Sequence, residues 1–300
     1  MEEVIGAIML AWLIYYRKNA ELNKQYIDFY IEEGSKLGLT VKLILVEDLK
    51  FGTWDNQLFI SYQDKPITKP DFAICRAIYP LLNKQLEWMG IPVFNNSFVA
   101  EICNDKAKTY QYLSRTGIPM INSIFYRNFQ GREALSQADQ PTVLKAVDGH
   151  GGKQVFLYDP RDRKSALEKT QEKILEGLGT SDLVAQPLTG SRHQDLRVYV
   201  IGKEIQAAVL RTAKEGFKSN FSLGGEVRLY SLTEQEKRTV DIIIDQFDFG
   251  LVGIDFLLGD HGELIFNEIE DVVGSRMLYQ CSDLNIVRRY LLFILEQIQG

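Results

Sequence analysis

Three carboxylates near the end of this 300-residue chain form its most chemically specific pattern. Two apolar runs, Gly253–Leu258 and Glu263–Glu270, flank Gly259-Asp260-His261-Gly262, a composition that suits a hairpin turn. With Asp260-His261 as a two-residue turn, Asp255 faces Phe266 and Gly253 faces Glu268. Side chains alternate along a strand, so Asp255, Phe266, Glu268 and Glu270 share one side. Asp255 and Glu268 are then diagonal neighbours, roughly 7–8 Å apart. Three carboxylates on one face repel unless a cation lies between them. Oxygen ligands without His or Cys suit Mg²⁺, which shares its shell readily with substrate phosphates. The alternative is a solvated acidic face. The apolar neighbours Ile254, Phe256, Ile265 and Ile269 argue against it, because they describe a strand embedded in a core.

A second pattern is Lys145-Ala-Val-Asp-Gly149-His150-Gly151-Gly152. Glycines at a strand–strand turn expose backbone N–H groups to phosphate oxygens. A strand follows here, whereas a Walker loop or a dinucleotide fingerprint runs into a helix. A plain glycine hairpin would explain the glycines alone. Lys145 adds the functional case, since a lysine inside an apolar strand is costly unless it meets an anion. A third set is basic: Arg197, Arg211, Lys218 and Arg228, with Asn220 and Gly224-Gly225 in the same region. Guanidinium groups suit phosphate and carboxylate oxygens, and any one of these residues could equally be a surface charge. His150, His193 and His261 lack a Ser or Cys partner at a recognisable spacing, which speaks against a catalytic triad and a zinc site.

The elements that must hold these residues change in kind along the chain. Over the first ninety-odd residues, strands and helices alternate: Val4–Leu10, helix Asn23–Gly38, Val41–Val46, Phe72–Cys75, helix Leu81–Met89, then Pro92–Phe94. Such a series gives a mostly parallel sheet covered by helices. Ser97–Gly117 reads as one long helix. Beyond Ile121 the pattern becomes hairpins, Thr142–Val147 with Gln154–Tyr158 and Arg197–Ile201 with Glu204–Arg211, separated by helices Lys164–Leu178 and Thr233–Phe247. The expected fold class is α/β followed by antiparallel α+β lobes.

Composition sets outer limits. Hydrophobic residues make up 45% and charged residues 25%, which suits a soluble globular chain. A net charge of -6 argues against indiscriminate nucleic-acid binding. Cys75, Cys103 and Cys281 are too far apart for a zinc knuckle, and their number is odd; buried free thiols in a reducing cytoplasm are expected. The apolar segment Val4–Tyr16 is too short for a membrane span of roughly 20 residues. Glu2 and Glu3 stand where a signal peptide would be positive, so no membrane association is expected.

Taken in order, the motifs resemble a known family. Asn104-Asp105-Lys106, Val143 to Gly152, Gln186-Pro187-Leu188, Asp195-x-Arg197, Lys218-Ser-Asn220 with Gly224-Gly225, Val252 to Asp255 and Asn267-Glu-Ile-Glu270 follow the order seen in ATP-grasp ligases. The resemblance is to the glutathione synthetase and RimK-type glutamate ligase branch. It implies an N-terminal parallel α/β domain over 1–96, a central ATP-grasp lobe with the glycine loop over 97–187, and a C-terminal lobe with the metal site over 188–300. It implies ATP as cosubstrate, held by Lys106 and Lys145, by Gly149, Gly151 and Gly152, and by Gln186, Pro187 and Leu188 at adenine. It implies two Mg²⁺ ions, with Mn²⁺ as a substitute, on Asp255, Glu268 and Glu270. Arg197, Arg211, Lys218 and Asn220 fall at the phosphate and acyl site. Arg76, at the end of a parallel strand, and Arg276 are expected to hold a substrate carboxylate. The implied reaction joins a carboxylate to an amine through an acyl phosphate, on an amino acid or peptide, with a homo-oligomer compatible. Two rivals stand beside it: a nucleotide-binding sensor without ligase activity, and a kinase acting on a hydroxyl. Glu270 departs from the family pattern, where Asn is usual. Lys218 stands where Arg is frequent, and Asp271 to Arg276 lacks the common continuation after the metal ligands.

Overall fold

A computed structural model describes residues 9–162, 164–189, 194–212 and 226–299 of the protein. Strand β1 (Met9–Tyr15) leads through helices α1 (Arg17–Leu22) and α2 (Lys24–Lys36) to β2 (Leu39–Leu45). A three-stranded antiparallel sheet follows, β3 (Leu49–Trp54), β4 (Gln57–Tyr62) and β5 (Lys65–Pro66), and the chain returns as β6 (Phe72–Cys75), α3 (Pro80–Trp88) and β7 (Val93–Phe94). The parallel sheet has the order β2-β1-β6-β7, with β1 paired to both β2 and β6. The first strand therefore runs on past the expected end at Leu10, to Tyr15. Val4 to Tyr16 is apolar almost throughout, so the sequence carries no internal mark of where pairing begins; positions 4–8 lie outside the described residues. The short sheet β3–β4–β5 was not signalled by helical or buried-strand periodicity. Its mark is Asp55-Asn56, both at positive φ in the turn between β3 and β4.

Ser97–Gly117 is two helices, not one. Helix α4 (Ser97–Cys103) stops, and α5 (Lys106–Leu113) starts afresh with Asp105 as its cap, the carboxylate accepting from the Lys108 N–H at 3.0 Å. The apolar period continues across the break, which hides it from pattern reading. The restart puts Lys106 at the first helical position, where its own N–H donates to Val147 O at 2.9 Å.

The central sheet is antiparallel, ordered β10-β9-β11-β8: β8 (Ile124–Tyr126), β9 (Thr142–Ala146), β10 (Val155–Tyr158) and β11 (Leu183–Pro187), with α6 (Gly131–Ser136) and α7 (Lys164–Leu178) between them in sequence. The last sheet is ordered β14-β13-β12-β15-β16: β12 (Gln194–Ile201), β13 (Glu204–Thr212), β14 (Glu226–Leu229), β15 (Leu251–Leu258) and β16 (Leu264–Glu270). Helix α8 (Glu234–Ile244) carries a Thr233/Glu236 capping box, and α9 (Arg276–Cys281) and α10 (Ile286–Gln299) close the chain.

The alternation along β12 shows why the last sheet can carry charge. Leu196, Val198 and Val200 enter one core, with α8 residues such as Val240 and Ile243. Tyr199 and Ile201, on the other face, join a second core with Leu13, Phe72 and α10 residues such as Tyr290. Arg197 shares that second face by the same alternation. Cys75 and Cys103 are buried and Cys281 half-buried, all as free thiols. Among the described residues no helix is long and apolar enough to cross a membrane.

Candidate active site

The last hairpin is built differently from a two-residue turn. Gly259 to Glu263 connect the strands, and Phe256 pairs with Phe266. The register then shifts, and Asp255 pairs with Glu268 and Gly253 with Glu270. Phe266 consequently faces the core with Phe256, not the carboxylates, and Asp255 lies directly opposite Glu268 instead of diagonal to it. The irregularity falls at Asn267, an extra residue on β16. It returns Glu268 and Glu270 to the face of Asp255. Oxygens of Asp255, Glu268 and Glu270 lie within 4.8 Å of one another, so the three predicted carboxylates converge, on a corrected register.

Arginines compensate them. Arg197 donates from Nε and Nη2 to both oxygens of Asp255 at 2.7 Å, and its Nη1 lies 2.8 Å from Glu270. Arg211 makes the same fork with Asp195 at 2.5 Å and reaches Asp255 from Nη2 at 2.8 Å. All of Asp195, Arg197, Arg211 and Asp255 are buried. Burial alone would push the Asp255 carboxyl up, but the two guanidinium groups hold it below the usual range. Glu270 goes the other way: burial, with Asp255 and Glu268 nearby, raises it despite Arg197. Burial would also raise Glu268, but Lys106, Lys145 and Arg197 together hold it below its ordinary value. Gly253 makes the packing possible, since a Cβ there would sit 2.6 Å from Val273 Cγ2 and 3.2 Å from Arg197 Cδ.

The lysines arrive from two other elements. Lys106, at the start of α5, donates from Nζ to Gly149 O at 2.5 Å and lies 3.3 Å from Glu268. Lys145, in mid-β9, donates to Asn267 Oδ1 at 2.8 Å. Burial and the neighbouring Lys106 lower the Lys145 ammonium to about 8, with Glu268 acting in the opposite direction. Gly151 and Gly152 have φ of +64° and +70°, a conformation that favours glycine and lets the turn fold over this space. One cleft is lined by Lys106, Lys145, Gly149, Gly151, Gly152, Gln186, Pro187, Leu188, Asn267 and Glu268. Its apolar wall includes Ile121, Val143, Val155 and Leu257.

Other expected residues lie elsewhere. Arg76 is buried and donates to Val273 O at 2.8 Å. Arg276 is exposed, with Nη2 on Leu22 O and Asn23 Oδ1. Arg228 is exposed on β14. Lys218, Asn220, Gly224, Gly225 and His193 lie outside the described residues. Three residues of the site escaped sequence reading as contributors. Asn267 is one, and a polar residue flanked by Phe266 and Glu268 was its only signal. Asp195 is another, legible only as half of Asp-x-Arg. Asp271 is the third: its oxygens accept from Asn95 Nδ2 at 2.5 Å and Asn104 Nδ2 at 2.9 Å, tying β16 to the segment before Lys106.

A family model described as a RimK-like ATP-grasp domain matches residues 103–294, the stretch that carries every element of this cleft. The chain belongs to the RimK-like ATP-grasp family. It is an ATP-dependent ligase of the kind that forms a carbon–nitrogen bond. Uncharacterized protein MG011 of Mycoplasma genitalium is 29% identical over 96% of this chain and 93% of its own length. A probable alpha-L-glutamate ligase of Legionella pneumophila is 28% identical over 70% of this chain and 69% of its own. In structure, the ATP-grasp ligase PsnB, complexed with a phosphomimetic variant of its minimal precursor, Mg and ADP, aligns at a TM-score of 0.66. The alignment covers 95% of this chain and 97% of that one at 15% identity, a likeness of fold. ATP-grasp ligases bind ATP and Mg²⁺, and the donor set here fits that ion: three carboxylates, all oxygen, beside a cleft whose lysines suit phosphate.

Proposed function

We propose that the protein activates a substrate carboxylate with ATP as an acyl phosphate and transfers the acyl group to the amine of an amino acid or peptide, releasing ADP and phosphate. The observation that carries the residue assignment is the convergence of Asp255, Glu268 and Glu270 beside a cleft that two lysines and a glycine turn share. Mg²⁺, as one ion or two with Mn²⁺ as a substitute, would be held by those carboxylates and would draw charge from the transferring phosphoryl group. Lys106 and Lys145 bind the phosphates, and the N–H groups around Gly149, Gly151 and Gly152 close over them. Backbone groups of Gln186 to Leu188 meet adenine against the apolar wall. Arg197 and Arg211 face charge developing at the acyl centre, with Lys218 and Asn220 assigned to the same site by motif. Their present pairing with Asp255 means that metal and substrate must compete for, and repartition, those ion pairs. In this reading 1–96 forms the substrate-side domain and 97–187 and 188–300 the two lobes that grasp ATP.

A carboxylate is a poor electrophile, and the protein supplies mainly position and charge for its activation. The test is product analysis after incubation with ATP, Mg²⁺ and pairs of amino acids or short peptides. Amide plus ADP is the expected result. AMP, a phosphoester with ADP, or unchanged ATP across the panel would overturn it.

A further inference from the structure

Arg76 differs from the other buried arginines among the described residues. Arg197 and Arg211 have carboxylate partners within hydrogen-bond distance, but Arg76 has none within 4.0 Å among the described residues. Among the described residues its guanidinium donates from Nη2 to Val273 O and lies within reach of the Tyr15 hydroxyl oxygen, while Nε is buried without a partner. Asp271 is near enough to feel its charge, but that carboxylate is engaged by Asn95 and Asn104. The groups around the guanidinium are tyrosines. It lies over the Tyr26 ring, 5.4 Å from the centroid. Among the described residues the buried hydroxyls of Tyr15 and Tyr30 donate to no acceptor. Burial pushes both phenols up, so they remain neutral donors and do not neutralise the arginine. A buried cation with unused N–H groups, beside two unused O–H groups, is costly in isolation and lacks one thing: an acceptor of negative charge.

The location gives that acceptor a role. Arg76 follows the last residue of β6, a parallel strand, at the end where substrates of open α/β sheets bind. Val273, whose carbonyl it holds, follows Glu270 by three residues and packs against Gly253 beside Arg197. Tyr26 bonds Ser275 Oγ at 2.9 Å and lines a surface pocket with Arg276 and Tyr279.

We propose that Arg76, with the hydroxyls of Tyr15 and Tyr30, forms a subsite for the free carboxylate of the amine-bearing substrate, an amino acid or short peptide, and that Arg276 is the outer cation on its approach. The proposal rests on the ligase reading, because it needs a substrate whose second carboxylate is kept away from the metal cluster. A carboxylate there takes two N–H donors of a planar fork, which a lysine cannot supply. The chain thus selects substrates with an unmodified carboxylate over their amides.

Calorimetric titration of the full chain with L-glutamate, L-alanine and glycylglycine, each beside its carboxamide counterpart, tests this. The wild type should bind at least one acid and discriminate against its amide by about tenfold or more. Arg76→Gln should weaken that acid at least about twentyfold, Arg76→Lys should recover only part of it, and Arg276→Gln should cost less than either. In turnover, Arg76→Gln should raise the KM of the amine substrate with the KM for ATP unchanged. Its melting temperature should hold or rise, since an uncompensated buried charge has gone. Equal affinity for acid and amide, no binding of any acid to the wild type, or undiminished affinity in Arg76→Gln would each overturn the subsite. A fall in melting temperature with undiminished affinity would instead mark Arg76 as a structural cation. ADP release by the wild type with the same compounds judges the ligase reading separately.

Discussion

Two buried arginine clusters meet at Val273 and treat their charge in opposite ways. On the β15–β16 side, Arg197 and Arg211 face Asp195, Asp255 and Glu270 in close, largely bidentate pairs. On the parallel-sheet side, Arg76 has a carbonyl, an aromatic face and neutral phenols. The first cluster is complete without a ligand, so a ligand must rearrange it. The second is incomplete, so a ligand would finish it. A buried ion pair adds little net stability, yet losing one partner is expensive, whereas losing an ion without a partner ion leaves no opposite charge stranded. The same residue type therefore predicts opposite mutational outcomes on the two sides of Val273.

The largest effect should come from the carboxylates. Glu268→Gln keeps shape and hydrogen-bonding capacity but removes the charge facing Lys106; turnover should fall by about a thousandfold or more while circular dichroism is unchanged. Normal ADP release from the purified variant would remove the metal assignment. Next, Arg197→Ala leaves Asp255 and Glu270 short of a cation and should destabilise the fold by about 3–5 kcal/mol in urea titration. Against it, Arg76→Gln should show no loss, and equal destabilisation of the two variants would erase the contrast between the clusters.

Lys145 offers a finer test. Its ammonium, lowered to about 8, is charged below that pH and neutral above it. Phosphate bound beside it would favour the charged form. ATP affinity should thus be level below pH 7 and weaken by up to about tenfold per pH unit above 8. Lys145→Arg should flatten that slope, and Lys145→Ala should weaken ATP at all pH values. A wild-type profile without the slope would place Lys145 away from the phosphates. The smallest effect belongs to Arg228: exposed on β14, its alanine variant should change stability by less than about 0.5 kcal/mol and leave turnover alone.

Much of this protein was legible from sequence because its signals are local. Period-two alternation around Asp255, Glu268 and Glu270 fixed which side chains could share a face, and an apolar strand around Lys145 marked that lysine as unusual. The alternation of strands and helices up to Phe94 announced a parallel sheet, and glycines with positive φ sat where the turn needed them. What the sequence left open depends on small discontinuities that periodicity averages over. One extra residue at Asn267 moved Phe266 to the core and brought Asp255 directly opposite Glu268. One cap at Asp105 divided an apolar run and set Lys106 at a helix start. Pairing between ions was beyond sequence altogether: Arg197, Arg211 and Arg76 look alike as basic residues near apolar strands. Only the packing of β12, β13 and β15 gave two of them carboxylates, and only the packing around Arg76 of Val273 and three tyrosines left the third without one, because charge compensation is decided by which strands become neighbours in space.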